Sequence, residues 1–98
     1  MSDGGYNKDD FARRLRDLRE AAGYGGRQQG EFARMLGISV NAYNNYENAG
    51  RIPSPADAWK IVSRTGATLD WLYYGERRGL SPELLRNLPP WESKAQTG

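Results

Sequence analysis

Apolar residues recur along this chain at spacings of three and four, the period of an α-helix, and no stretch alternates long enough to suggest a strand. Phe11, Leu15, Leu18 and Ala22 form a first stripe. Asn7 is placed to cap it, Asp9 and Asp10 complement the dipole in its first turn, and Gly23 stops it. After Tyr24-Gly25-Gly26, a second helix is predicted over residues 27–36, with Phe32, Ala33 and Leu36 on one face and Gly37 as its stop. Ile38 then occupies a turn and Ser39 caps a third helix, residues 40–47. That helix puts Tyr43 and Tyr46 on one side and Asn41, Asn44, Asn45 and Asn48 largely elsewhere. Ser54-Pro55 starts a fourth helix, whose apolar face is Ala58, Trp59, Ile61 and Val62 and which ends at Gly66. Thr68 caps a short fifth helix over residues 69–74, ended by Gly75. Ser81-Pro82-Glu83 repeats the start signal, Leu80 is placed to staple onto Leu85, and Leu84, Leu85 and Leu88 form a last stripe before Pro89-Pro90.

This reading divides the chain into a flexible N-terminus (1–6), a helical domain (7–76), a C-terminal extension with one helix (77–90) and a polar, disordered tail (91–98). The 98 residues suit one domain, and no apolar run approaches the ~18 residues that span a bilayer. Residues 1–5 carry neither the basic nor the apolar stretch of a secretory signal.

Composition narrows the chemistry. With no cysteine there is no disulfide framework and no thiolate metal site; with no histidine, the commonest general base and metal ligand are missing. Asp9, Asp10, Asp17 and Glu20 are the best carboxylate cluster, and they read as the first turn and solvated face of one helix. No catalytic residue, metal or cofactor is expected, and the chain is read as a non-enzyme. The net charge of +2 permits a polyanion partner without demanding one. Eleven of the fourteen cations are arginine, which can fork onto phosphate or guanine, although a solvated, arginine-biased surface explains the same count.

The informative segment is 28–53: a helix stopped by Gly37, a three-residue turn, then a capped polar helix. This is the helix-turn-helix pattern, whose second helix enters the DNA major groove. Small Ala33, four residues before Gly37, lets the two helices cross closely. At this point the chain, from Phe11 to Glu76, resembles the Cro/C1-type (XRE-like) helix-turn-helix family of phage repressors and small bacterial regulators. The likeness is carried in order by Leu15-Arg16-Asp17-Leu18-Arg19, Gln29-Gly30-Glu31-Phe32-Ala33-Arg34-Met35-Leu36-Gly37-Ile38-Ser39, Tyr46-Glu47, Pro53-Ser54 and Leu69-Asp70-Trp71-Leu72-Tyr73-Tyr74-Gly75-Glu76. The resemblance implies an all-α, lambda-repressor-like bundle of five helices, here with a short C-terminal helix added, in a cytoplasmic protein of bacterial or phage origin.

Matching positions imply base contacts from Val40, Asn41, Asn44 and Asn45. An Asn amide can pair with adenine N6 and N7, and Val can pack on a thymine methyl. Asn is a poor helix former, so a cluster in one short helix asks for a reason; mere surface polarity is the bland one. Gln29 matches a phosphate donor, with Gln28 and Arg27 beside it at a helix N-terminus. Ser39, Asn48 and Arg51 match further backbone-gripping positions, which set register rather than preference. The same comparison makes Arg19 and Glu47 a structural ion pair between the first and third helices. Three departures stand out: the long Tyr24-Gly25-Gly26 link, which leaves the approach of Arg27 open; Ala49 in place of a glycine, which would redirect the loop; and bulky Tyr43 in place of an aliphatic residue, which would tilt the recognition helix.

One module of this size touches few base pairs, so a homodimer on a pseudo-palindromic operator is expected. Its surface is assigned to Leu69, Leu72, Tyr73, Tyr74, Leu80, Leu84, Leu85 and Leu88, with Trp59 and Trp71 as core or dimer contacts; these leucines can equally complete the monomer core. Repression by covering a promoter is the simplest mechanism for a bare binding module. An antitoxin that represses its own operon and holds a protein partner through the C-terminal tail, an activator, and a protein-interaction module on the same fold stay open as alternatives.

Overall fold

A computed structural model describes residues 8–90. The expected Asn7 cap, the 1–6 terminus and the 91–98 tail lie outside the described residues. Six helices follow one another: α1 (Lys8–Ala21), α2 (Gln29–Leu36), α3 (Val40–Glu47), α4 (Pro55–Ser63), α5 (Leu69–Tyr74) and α6 (Pro82–Asn87). The fold is all-α, and no strand occurs among the described residues.

The helix ends are set by local chemistry. Ser39, Ser54, Thr68 and Ser81 each accept, through the side-chain oxygen, a hydrogen bond from the backbone N–H three residues on. Each cap satisfies a donor that a helix start leaves orphaned. Pro55 and Pro82, just after two of these caps, occupy the turn where a missing N–H costs nothing. Helix α2 starts at Gln29 rather than at Arg27: a turn closed by the Gln28 N–H on the Gly25 carbonyl occupies the residues before it.

Helix α1 is the axis of assembly, packing against α3, α5 and α6, while α2 packs on α3 and α4 on α5. The core joins Phe11, Leu15 and Leu18 of α1 to Phe32 and Leu36 of α2, Tyr43 and Tyr46 of α3, Ile61 of α4, and Trp71 and Leu72 of α5. Burying each such side chain is worth about 1.5–3 kcal/mol. Ala22, expected on the first stripe, is exposed just past the end of α1.

One further expectation is corrected here. Leu72, Leu80, Leu84 and Leu88 are buried in the single chain and belong to its core, so they offer no surface to a second copy. Leu69, Tyr74 and Leu85 remain exposed, and Tyr73 is half-buried against Phe11. The C-terminal extension thus completes the monomer: α6 closes onto α1. Trp71 is core, but Trp59 is 64% exposed, because α4 turns Ala58 and Ile61 inward instead. No helix of the described residues is long and apolar enough to cross a membrane.

Candidate nucleic-acid interface

The centre of interest is the α2–turn–α3 unit. Gly37 takes φ +82°, a left-handed conformation that suits glycine, and lets the chain turn back at once. Its N–H bonds to the Arg34 carbonyl and that of Ile38 to the Ala33 carbonyl, closing the end of α2 in a Schellman motif. Two cations, Lys60 of α4 and Arg64 at its C-cap, reach the same end: Lys60 Nζ donates to the Gly37 carbonyl and Arg64 Nη1 to the Leu36 carbonyl, each at 3.1 Å. Ile38 then drops into the core and Ser39 starts α3. Ala33 is fully buried, as the close approach of α2 and α3 demands.

Helix α3 has two unlike faces. Inward, Glu47 accepts from Arg19 Nε at 2.7 Å in a pair whose side chains are only 3–4% exposed. The Tyr43 hydroxyl donates to the same carboxylate, and its ring stands edge-on to Phe32 with centroids 5.6 Å apart. Bulky Tyr43 therefore has a task of its own: it supplies the buried carboxylate with a second donor. Burial, first, and then the Glu47 charge push the Tyr43 phenol far above its ordinary titration range. Arg19 also ties in the link between α1 and α2, donating through Nη1 to the carbonyls of Tyr24 at 3.0 Å and Gly26 at 3.4 Å. Arg16 donates to the Glu47 carbonyl at 2.8 Å, placing a cation on the C-terminal end of α3. Tyr46 donates to Asp57 at 2.6 Å. Its phenol is raised as well, by burial and by that carboxylate.

Outward, α3 presents Asn41 and Asn45, exposed, with Val40 and Asn44 half-exposed beside them. None of these asparagine side chains, nor that of exposed Asn48 at the C-cap, makes a hydrogen bond with a described residue. The four sequence-derived base-contact positions therefore share one open surface on a helix held from behind. The residues assigned to the DNA backbone lie at the ends of α2 and α3 and in the segments just before and after them. Arg27 is exposed in the turn before α2, and Gln29 is half-exposed in the first turn of α2. Ser39 lies at the cap. Arg51 sits just beyond α3, its guanidinium 5.8 Å from the centre of the Tyr46 ring. Gln28, like the Ser39 cap, is already engaged: its amide oxygen accepts from the Gly25 N–H and its amide nitrogen donates to Glu31, shaping the turn.

Ala49 takes φ +62°, and the bonds from Ala49 N–H to the Tyr46 carbonyl and from Gly50 N–H to the Asn45 carbonyl close α3 in a second Schellman motif. The glycine suited to this conformation stands one residue too late.

The family model described as helix-turn-helix matches residues 15–72. The chain belongs to the Cro/C1-type helix-turn-helix family. No curated protein and no solved structure matches it. A Cro/C1-type protein is a DNA-binding regulator rather than an enzyme, and its partner is double-stranded DNA. In this Cro/C1-type chain the matched span runs from the middle of α1 into α5 and contains the whole of the α2–turn–α3 unit. Helix α6 lies beyond the match, yet Leu80, Leu84 and Leu88 enter the same core as the matched residues.

Three of the interactions that build this interface went unpredicted. The Tyr43–Glu47 bond has a signal in its i, i+4 spacing on one helix face. The cations of Lys60 and Arg64 on the end of α2, and the bonds of Arg19 to the linker carbonyls, have no local signal, since they join segments far apart in the chain or depend on the path of a glycine-rich turn.

Proposed function

We propose that the protein is a transcriptional repressor that binds a pseudo-palindromic operator as a homodimer, each protomer laying α3 in the major groove. The observation that carries the reading is the outer face of α3, where Asn41, Asn44 and Asn45 have no side-chain partners among the described residues, on a helix fixed by a buried Arg19–Glu47–Tyr43 cluster. Free amides at a groove-reading position favour adenine, and Val40 favours a thymine methyl, so A·T pairs contribute to the half-site. Arg27, Gln29, Ser39, Asn48 and Arg51 set the register through phosphates. Gln28 joins them only by giving up its bonds within the turn. The second copy docks on the surface formed by exposed Leu69, Tyr74 and Leu85 with half-buried Tyr73 beside them. Occupying a promoter then excludes polymerase, in the cytoplasm of a bacterial host.

The test is selection from a randomised duplex pool at near-physiological salt, with the wild type beside an Asn41→Ala, Asn45→Ala double variant. A two-fold symmetric motif enriched by the wild type and blurred in the variant supports the reading. Each lost bidentate contact is expected to remove about 1–3 kcal/mol of discrimination. No enrichment at any salt concentration rejects sequence-specific binding.

A further inference from the structure

Helix α2 carries a cation that none of the roles above uses. Arg34 is exposed, and its side chain makes no hydrogen bond or ion pair with a described residue. This separates it from Arg16, Arg19, Lys60 and Arg64, each of which donates to an oxygen of the protein. Glu31, three residues earlier and spaced to pair with Arg34, is bonded to the Gln28 amide instead.

The position of the guanidinium is specific. It folds back along α2, so that Nη2 lies 3.6 Å from the point a β-carbon on Gly30 would occupy; the Val40 Cγ2 methyl lies 3.9 Å from the same point. The cation therefore rests in the seam between the first turn of α2 and the first residue of α3. Gly30 explains how it gets there. Glycine is the weakest helix former after proline, yet it stands here in the first turn of α2. A long side chain at that position would fill the space the guanidinium takes.

We propose that Arg34 is a further DNA contact, clamping a phosphate at the edge of the groove beside the base that Val40 meets. This rests on the DNA-binding reading above. The phosphate is favoured over a base edge because Arg34 projects from α2, the helix that crosses the backbone while α3 enters the groove. A guanidinium free of intramolecular partners can give a phosphate two parallel N–H donors.

The experiment measures affinity against salt concentration for the wild type, Arg34→Gln and Arg34→Lys. The probes are the duplex enriched by the wild type and a duplex of random sequence. Circular dichroism melts check that the variants keep the fold, as an exposed side chain allows. Arg34→Gln is expected to bind both duplexes about tenfold more weakly, the loss of one charge-assisted contact. Its log–log salt slope is expected to be shallower by about 0.9 per protomer, with the preferred motif unchanged, and Arg34→Lys is expected to restore the slope. Unchanged affinity and slope in Arg34→Gln overturn the proposal. So does a preference relaxed at one base pair with the slope intact, which is the mark of a base contact. If the wild type enriches no motif but binds random duplex, the operator reading fails while Arg34 is still judged by its slope. If the wild type binds no duplex, both fall.

Discussion

The two faces of α3 are built from similar polar groups and put to opposite uses. On the inner face, the hydroxyls of Tyr43 and Tyr46 and the carboxylate of Glu47 all have partners, on Arg19, on Asp57 or on each other. On the outer face, the side chains of Asn41, Asn44, Asn45 and Asn48 have none among the described residues. A buried polar group without a partner costs about 1–3 kcal/mol, and more if charged, whereas an exposed amide is satisfied by water. The inner groups are therefore bound up in the stability of the domain, while the outer ones add little to it and, on the proposed function, are available to DNA. Substitutions on one helix, a single residue apart, should then separate into a class that unfolds the protein and a class that only unbinds DNA.

The hardest test of that division is Glu47→Ala. It leaves the Arg19 guanidinium buried without its carboxylate and removes the acceptor of Tyr43. The expected loss is about 3–5 kcal/mol, a large share of the roughly 5–15 kcal/mol that holds a small domain. Urea melts should show it, while the Asn41→Ala, Asn45→Ala variant should melt within about 0.5 kcal/mol of the wild type. An asparagine variant that destabilises as much as Glu47→Ala would end the distinction between the faces.

Tyr43→Phe sharpens the comparison within the inner face. It keeps the ring on Phe32 and removes one donor to a charged group, for an expected loss of about 1.5–3 kcal/mol at neutral pH. The pH dependence follows from the raised phenols of Tyr43 and Tyr46. Their contribution is whole below the ordinary tyrosine value of about 10, where folded and unfolded chains both hold the proton. Above it the unfolded chain releases the proton first, so stability falls as pH rises. Thermal melts across the alkaline range should show a steeper fall for the wild type than for Tyr43→Phe; equal slopes would mean that the Tyr43 phenol titrates as it does in water.

The smallest effect is expected where α3 ends. Gly37 closes α2 in a left-handed conformation that suits it, and Ala49 closes α3 in one that does not. Ala49→Gly should stabilise by up to about 1 kcal/mol, since relief of the strained φ outweighs the added freedom of the unfolded chain. A lower melting temperature in that variant would mean that the turn after α3 is held by more than its backbone angle.

The helices were legible because their signals are local: serine and threonine caps, prolines in first turns, glycines just past the ends. Helices α3, α5 and α6 fall where those signals place them; α4 starts at its Ser54-Pro55 signal but ends at Ser63, short of Gly66; and the turn of the motif lies at Gly37-Ile38-Ser39 as read. What the leucines of residues 72–88 bury was not legible. A stripe at helical spacing reports that a face is apolar, not whether a neighbouring helix or a second copy covers it, and in this chain α6 folds back on α1. Trp59, read as a core or dimer contact, is kept out of the core for a related reason: the stripe of α4 is wide enough to include it, and only packing decides that Ala58 and Ile61 face inward. In the candidate interface, the outward position of Asn41 and Asn45 was readable from the tyrosines opposite. The seat of Arg34 over Gly30 was not, because it depends on the rotamer of a long side chain.

Residues 23–28 hold three glycines, and composition alone would mark them as a flexible connection between α1 and the α2–turn–α3 unit. The bonds from Arg19 to the carbonyls of Tyr24 and Gly26 argue the reverse. Opening this stretch would strip acceptors from a guanidinium that cannot reach water without leaving Glu47. The link is therefore coupled to the core, and an amide proton bonded from it to α1, that of Tyr24 on the Arg19 carbonyl, should exchange with solvent on the slow schedule of the whole domain rather than the fast one of a loop.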